Sequence, residues 1–333
     1  GAINRRALHN VTVNAPAAAS YVSATSAQLW HRRFGHLGYA NLARLPSMVN
    51  GLNLTTDIQA ASSELCEPCA LGKIHRQPFP ESKNTTTKPL ELVHMDVCGP
   101  MPVSSFGGSK YIATFLDDYT GYSAIRLLGA KGDVAAATKS VFSMLQNSTG
   151  STVINVRTDR GGEYMSNDLE SYLDQHGVVH QTTIAYTPEQ NGKAERLNRT
   201  LMEKVRSMLA DSGLPPEAWG EAVMTANYLR NRSPTTGRDL TPYEMMTGNR
   251  PDVGHLRVFG SKAFVHIPKE KRNKLDFKGA PGQMVGYSIN SKGYRILMEG
   301  NYVIDSRDVI FDENAGSKSI DNHTVQRPTA DGA

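Results

Sequence analysis

Three carboxylates lie where a folded chain would aim them at one point. Asp96 sits near the centre of the apolar run Leu92–Val97, Asp159 closes the run Thr152–Thr158, and Glu195 stands in a helical pattern, with thirty-five residues between the last two. A strand centre, a neighbouring strand end and a helix packed on the same sheet can bring such groups together. Hard divalent cations, which keep waters and take phosphate oxygens, are held by sets of this kind. Two Mg²⁺ or Mn²⁺ ions about 3.5–4 Å apart would activate an attacking hydroxyl and stabilise the leaving oxygen of an in-line displacement. Beside Glu195, Lys193, Arg196 and Arg199 recur at three-residue steps and share a face suited to phosphate. Alone, that stretch reads as a solvated amphipathic helix; the two upstream carboxylates argue for chemistry.

A second donor set lies nearer the start. His31 and His36 enclose four residues, twenty-nine follow, and Cys66 and Cys69 enclose two. Two imidazoles and two thiolates satisfy a structural zinc ion with no open position. Histidines five apart do not share a helix face, so the chain should bend at Phe34-Gly35. The alternative is a pair of surface histidines and an incidental CxxC. A segment of some fifty residues also needs such a staple to fold.

The elements that must position these residues follow from the pattern. Leu92–Val97, Tyr111–Leu116 and Ser123–Leu128 read as three strands with short links, an antiparallel meander. A helix over Asp133–Asn147, a strand over Thr152–Thr158, a helix over Ser166–Gly177 and a short strand Val178–Thr182 follow. The loop through Tyr186-Thr187-Pro188 and Asn191-Gly192 then opens a helix with apolar positions Leu197, Leu201, Met202, Val205, Met208 and Leu209, stopped by Gly213. After Leu214-Pro215, Trp219, Ala222, Val223, Ala226 and Leu229 line one face of another helix. That face reads first as core against the sheet; a dimer surface is the second reading, which only the family resemblance named below implies. Short strands at Arg257–Phe259, Ala263–Ile267, Gly282–Tyr287, Gly293–Leu297, Asn301–Ile304 and Val309–Phe311 suggest a small SH3-like barrel.

Several rivals stay open at this level. Asp117-Asp118 fits a solvated turn, or an aspartate bonding backbone amides. Glu163 fits an anchor of the Gly161-Gly162 loop better than a metal ligand. His94 belongs to the core or supports the metal strand, and Cys98 reads as a small buried hydrophobe.

At 333 residues the chain exceeds one ordinary core. The composition, 39% hydrophobic and 20% charged, is globular, and no apolar run approaches eighteen residues. No secretory leader opens it, and a first residue Gly1 fits a recombinant product or a piece of a polyprotein. Three cysteines, two of them spaced as a metal pair, point to a reducing compartment and not to a disulfide framework. The net charge of +4 is uneven: residues 1–80 hold seven Lys/Arg against three Asp/Glu, residues 81–212 thirteen against fifteen, and the remainder sixteen against fourteen. Arg257–Arg295 alone carries nine cations against two acids. Basic flanks around an acidic middle suit phosphate grip outside and cation binding inside. Candidate phosphate contacts in the last third are Lys269, Lys271, Arg272, Lys274, Lys278, Lys292 and Arg295. The expected division is a flexible lead-in (1–26), a zinc-binding domain (27–76), a linker (77–89), a catalytic core (90–212), a helical connector (213–254), the barrel (255–313) and a disordered tail (314–333).

The motifs LWHRRFGHLG, CEPCALGK, HMDVCGP, FLDDYTGYS, RTDRGGEY, YTPEQNGKAERLNRTL, AWGEAVMTANYLRNRSP, TPYEMMTG, HLRVFGSKAFVHIP and VGYSINSKGYRIL extend from about residue 29 to 312. On these the chain resembles the integrase of copia-type (Pseudoviridae) LTR retrotransposons, within the retroviral integrase superfamily. The resemblance implies a multidomain protein: a small helical zinc-binding domain, an RNase H-like α/β core and an SH3-like β-barrel. It implies zinc on His31, His36, Cys66 and Cys69, and Mg²⁺ or Mn²⁺ on a catalytic triad of Asp96, Asp159 and Glu195. It implies a DNA integrase, also a potential endonuclease, joining the 3′-hydroxyl ends of LTR cDNA to host target DNA, with prior 3′ trimming left open. The implied setting is the nucleus after assembly in cytoplasmic virus-like particles. Implied partners are the cDNA ends, target DNA, further copies of the chain (a tetramer or larger) and a host tethering factor, with no membrane. A non-catalytic relic that only binds nucleic acid or chromatin, and a nuclease that only cleaves, are the competing classes.

Overall fold

The computed structural model describes residues 27–52, 65–73, 86–182, 192–289 and 292–313, together with Ile58 and Ala61. The expected lead-in, most of the expected linker, the loop through Tyr186-Thr187-Pro188 and Asn191, and the expected tail lie outside the described residues.

The central unit is a five-stranded sheet of β1 (Leu92–Cys98), β2 (Tyr111–Asp117), β3 (Ser123–Leu128), β4 (Asn155–Thr158) and β5 (Val179–Thr182), in the order β3-β2-β1-β4-β5. The pairs β1–β2 and β2–β3 are antiparallel, as the meander reading required, and β1–β4 and β4–β5 are parallel. This is the RNase H-like arrangement. Alternation along each strand sorts the side chains. Val93 and Met95 of β1 and Ala113 and Phe115 of β2 join the core with α4 (Val134–Thr149) and α5 (Asn167–Gln175). Ile112, Leu116 and Ile125 face the other way, towards α6 (Gly192–Ser212) and α7 (Trp219–Asn231). By the same period of two, His94 and Asp96 face α6.

Strand β4 starts three residues later than the pattern predicts. The Val153 amide donates to the Gln146 side chain at 3.1 Å, so the ladder begins only at Asn155. At its β3 edge the sheet is blunted by α7. The Ser123 amide donates to Asn231 Oδ1 at 2.9 Å, and its carbonyl accepts from both Asn227 and Asn231 side chains. Half-buried Arg230 reaches Gly121 O and Ser123 Oγ at 2.6 and 3.0 Å.

The N-terminal module comprises α1 (Ala27–Arg33), α2 (Tyr39–Leu42) and α3 (Glu67–Lys73). The C-terminal unit is a five-stranded antiparallel SH3-like sheet of β6 (Lys262–His266), β7 (Gly279–Tyr287), β8 (Tyr294–Met298), β9 (Tyr302–Ser306) and β10 (Val309–Asp312), ordered β10-β6-β7-β8-β9. The segment Arg257–Phe259, expected as a strand, is not one. Its amides go to side chains instead, Arg257 to the Tyr287 hydroxyl at 3.2 Å and Val258 to Glu313 at 2.7 Å, while Val258 and Phe259 are buried. Strand β7 begins earlier than expected because Pro281 pairs only on the β6 side, opposite Phe264, where its missing N–H is harmless.

The modules share one hydrophobic core. Trp30, Phe34 and Leu42, Leu201 and Met208 of α6, Ala222 and Val223 of α7, and Met284 and Ile296 of the barrel form a single buried cluster. Helix α7 is therefore core, as first expected, and it packs on the barrel as well as the sheet. Gly286 permits that approach: a Cβ there would lie 2.9 Å from Thr225 Oγ1, whose hydroxyl donates to Val285 O at 2.8 Å. Arg295 clamps the same joint with two 2.7 Å bonds to Glu221, and Arg33 pairs with Glu313 beyond β10.

A shared core predicts one cooperative unfolding transition. The chain has two tryptophans, Trp30 in the N-terminal module and Trp219 in α7. Thermal melts of Trp219→Phe followed by Trp30 fluorescence should coincide with those followed by far-ultraviolet circular dichroism. Separated midpoints would show the modules to be independent.

Candidate active site and metal centre

Helix α1 delivers His31 and stops. Gly35 and His36 both take positive φ, +58° and 61°, giving the predicted bend and turning His36 back towards His31. The His31 Nδ1–H donates to Leu37 O at 2.6 Å, leaving Nε2 with its lone pair towards the cluster. His36 presents Nδ1, and its Nε2 lies 3.9 Å from Asp211. Cys66 and Cys69 arrive at the start of α3. Cys66 Sγ is 3.4 Å from His31 Nε2 and from His36 Nδ1, Cys69 Sγ is 3.3 Å from His31 Nε2, and the two imidazole nitrogens are 3.2 Å apart. Nitrogen and sulfur ligands of one tetrahedral zinc stand about 3.5 Å apart, so the donor set and its spacings fit that ion. Hydrogen bonding from Cys69 and both imidazoles holds the Cys66 thiol well below its ordinary range, while its bond to Cys66 and burial push Cys69 up.

This module is seated on α6. Arg206 donates to Gly72 O at 3.0 Å, Ser207 to Pro68 O at 3.1 Å, and buried Lys204 to Phe34 O at 3.0 Å. Burial pulls Lys204 down to about 7. Lys73 donates to His36 O, and Arg32 meets Asp211 of α6 at 3.0 Å.

The same helix begins at the carboxylates. Asp96 on β1 faces it. Asn198 Nδ2 donates to Asp96 Oδ2, and the Val97 amide to Oδ1, both at 2.9 Å. Asp159 follows β4, its Oδ1 accepting from the Gly161 amide at 2.9 Å. Glu195 sits in the first turn of α6, exposed, where the helix dipole favours a carboxylate. Burial first, then the charges of Asp159 and Glu195, raise the Asp96 carboxyl from 3.8 to about 6. The three converge more loosely than the His/Cys set, which is the group among the described residues with all ligand atoms within 4.8 Å of one another. Neither Asp159 nor Glu195 pairs with a cation among the described residues, so the concentrated negative charge fits a divalent ion. Glu163 bonds Lys131 at 2.8 Å and packs by Gly161, the expected anchor.

Other expectations sort by contact. Asp117-Asp118 is not a solvated turn. Asp117 is buried and accepts from the Leu90 and Thr120 amides at 2.8 Å, the other reading left open. Asp118 is buried against His94, Nε2 to Oδ1 at 2.7 Å, and against Lys193 and Thr86. Arg196, Arg199, Lys269, Lys271, Lys274, Lys278 and Lys292 are exposed, and half-buried Arg272 spends its Nε on Ile267 O. Arg295 is taken from the phosphate-contact set, because Glu221 and Asp305 occupy its guanidinium. Asn198 and Lys204 were not singled out from sequence. Asn198, three residues after Glu195 on a helix, shares its side, and that spacing was the available signal.

Two outcomes follow. Replacing Cys66 by Ser should remove one tightly held zinc per chain by elemental analysis and lower the calorimetric melting temperature on the order of 10 °C; an unchanged melt would exclude a structural metal there. Asp96 sets a pH dependence. Its folded pKa lies above its unfolded one, so the metal-free chain loses stability as pH rises from about 4 to 6, by at most about 3 kcal/mol. Ligation needs the ionised carboxylate, so Mn²⁺ should raise the melting temperature more at pH 7 than at pH 5, and Asp96→Asn should abolish the difference.

Residues 7–74 match the GAG-pre-integrase domain, 86–188 the integrase core domain and 261–325 the retroviral polymerase SH3-like domain. Asp96 and Asp159 fall inside the core match, and Glu195 lies seven residues beyond it. The chain is 40% identical over 291 residues to the retrovirus-related Pol polyprotein from transposon TNT 1-94 of Nicotiana tabacum, covering 87% of this chain and 22% of that protein. It is 31% identical to that from transposon RE2 of Arabidopsis thaliana, covering 92% and 21%. The chain thus spans about a fifth of the length of these relatives. Among solved structures, the HTLV-2 integrase catalytic core domain in complex with magnesium aligns at TM-score 0.38 and 16% identity, over 48% of this chain and 97% of that one. The simian T-cell lymphotropic virus intasome in complex with PP2A regulatory subunit B56 gamma aligns at 0.40 and 13%, over 68% and 83%. Three matched domains in this order, with relatives alike along most of the chain, make it a member of the integrase family carried by copia-type retrotransposon Pol polyproteins.

Proposed function

We propose that this chain joins the 3′-hydroxyl ends of retrotransposon cDNA to a target DNA by in-line phosphoryl transfer at Asp96, Asp159 and Glu195. The observation that carries the reading is the convergence on Asp96: Asn198 of α6 bonds it, and the charges of Asp159 and Glu195 act on it. Two Mg²⁺ or Mn²⁺ ions held by these carboxylates would supply activation of the attacking hydroxyl and stabilisation of the leaving oxygen. The chain's own groups pre-set the ligands. Asn198 and the Val97 amide orient Asp96, the Gly161 amide orients Asp159, and the first turn of α6 carries Glu195. Arg196 and Arg199 beside Glu195, and Lys269, Lys271, Arg272, Lys274, Lys278 and Lys292 of the barrel, contact DNA phosphates. Zinc on His31, His36, Cys66 and Cys69 is structural and fixes the N-terminal module on α6.

The same carboxylates, with water as nucleophile, account for 3′-end trimming where it occurs. Because two cDNA ends must react together, the working form is an oligomer, a tetramer or larger. A chromosomal target sets the work in the nucleus after assembly in cytoplasmic particles, with site choice assisted by a host tethering factor.

The test is strand transfer of a duplex copying the element's terminus into a supercoiled plasmid with Mg²⁺. Glu195→Gln should fold normally by circular dichroism and lose joining by at least about 10²-fold, the scale of losing one electrostatic contributor to phosphoryl transfer. DNA binding without joined products from either protein would favour the non-catalytic reading.

A further inference from the structure

Lys193, on the basic face beside Glu195, does not point at open solvent. Its ammonium bonds the Asp118 carboxylate, and Asp118 is one of the most firmly held groups in the core. The Asp118 side chain is 4% exposed, against 42% for Lys193. Its Oδ1 also meets His94 Nε2 at 2.7 Å, and its Oδ2 accepts from Thr86 Oγ1 at 3.0 Å. Its backbone is fixed as well, the amide donating to Leu92 O at 2.9 Å and the carbonyl accepting from Arg238 at 2.8 Å. Asp118 is thus tied to β1, two residues from Asp96 through His94, and offers its remaining charge to the first turn of α6.

We infer that the Asp118–Lys193 ion pair is a latch that sets the start of α6, and so the position of Glu195, relative to Asp96; Lys193 is a positioning residue and not a phosphate contact. This rests on the assignment of Asp96, Asp159 and Glu195 as the divalent-ion site. Two ties then bracket Glu195 along the helix, Lys193 to Asp118 before it and Asn198 to Asp96 after it. The second ties the helix to the catalytic strand through a single hydrogen bond. With the first gone, the opening turn keeps its apolar seat at buried Ala194 but loses the polar tie that fixes its rotation, and Glu195, exposed and without a cation partner among the described residues, shifts with it. A phosphate contact would act differently, adding one counterion to those released on DNA binding.

The experiment uses the zinc-loaded full chain and compares wild type, Lys193→Met, Lys193→Arg and Glu195→Gln. Mn²⁺ binding is read by electron paramagnetic resonance, and DNA affinity against salt is read without divalent ions. Loss of groups that orient metal ligands costs roughly 10–100-fold in metal affinity, so Lys193→Met should weaken Mn²⁺ binding about tenfold. Its salt slope for DNA should be unchanged, and Lys193→Arg should restore Mn²⁺ affinity. Unchanged Mn²⁺ affinity with a slope reduced by about one would make Lys193 a phosphate contact and overturn the latch. Unchanged values in both measurements would overturn it too. If Glu195→Gln binds Mn²⁺ as wild type does, the divalent-ion site itself is misassigned, a result distinct from failure of the latch.

Discussion

One helix is asked to satisfy three neighbours at once, and that packing constraint organises the molecule. Along α6, Leu197, Leu201, Val205 and Met208 join the shared core. Its polar positions are committed too: Asn198 to Asp96 on β1, and Lys204, Arg206, Ser207 and Asp211 to the N-terminal module. A helix of 21 residues rises about 30 Å, enough to begin at the carboxylates and end under the His/Cys cluster. The His/Cys cluster and the three carboxylates are therefore served by opposite ends of one rigid element. Interiors packed to crystal-like density transmit displacement poorly absorbed elsewhere, so the seat of the cluster bears on where Glu195 stands.

Much of this was legible in the residues. The meander, the helices on either side of β4 and the long helix followed from alternation and from a 3.6-residue period, because each element buries one consistent face. The bend between His31 and His36 followed from the need to bring two imidazoles together across a glycine, and Gly35 and His36 both take positive φ. The carboxylates were legible because a charged residue inside an apolar strand has to be explained by a partner.

What was not legible depends on contacts between distant segments. Arg295 reads as a free cation in a basic stretch, yet Glu221, 74 positions earlier, neutralises it. Lys193 reads as part of a basic stripe, and only the fold reveals Asp118 beneath it. Arg257–Phe259 has the apolar character of a strand but finds side-chain partners for its amides before a ladder can form. The boundaries drawn from composition implied independent modules joined by connectors, because a sequence pattern identifies which residues are buried without saying which elements bury them together.

The asparagines of α7 have a bearing on association. An outer strand with free amides and carbonyls is a template for another chain, and open-ended stacking along it is the hazard such an edge carries. Asn227 and Asn231 occupy the Ser123 amide and carbonyl at the free side of β3, and the Arg126 guanidinium bonds Ile125 O. Strand-to-strand growth is thereby discouraged at that edge, so that any contact made there falls to side chains, whose shape and charge select the partner.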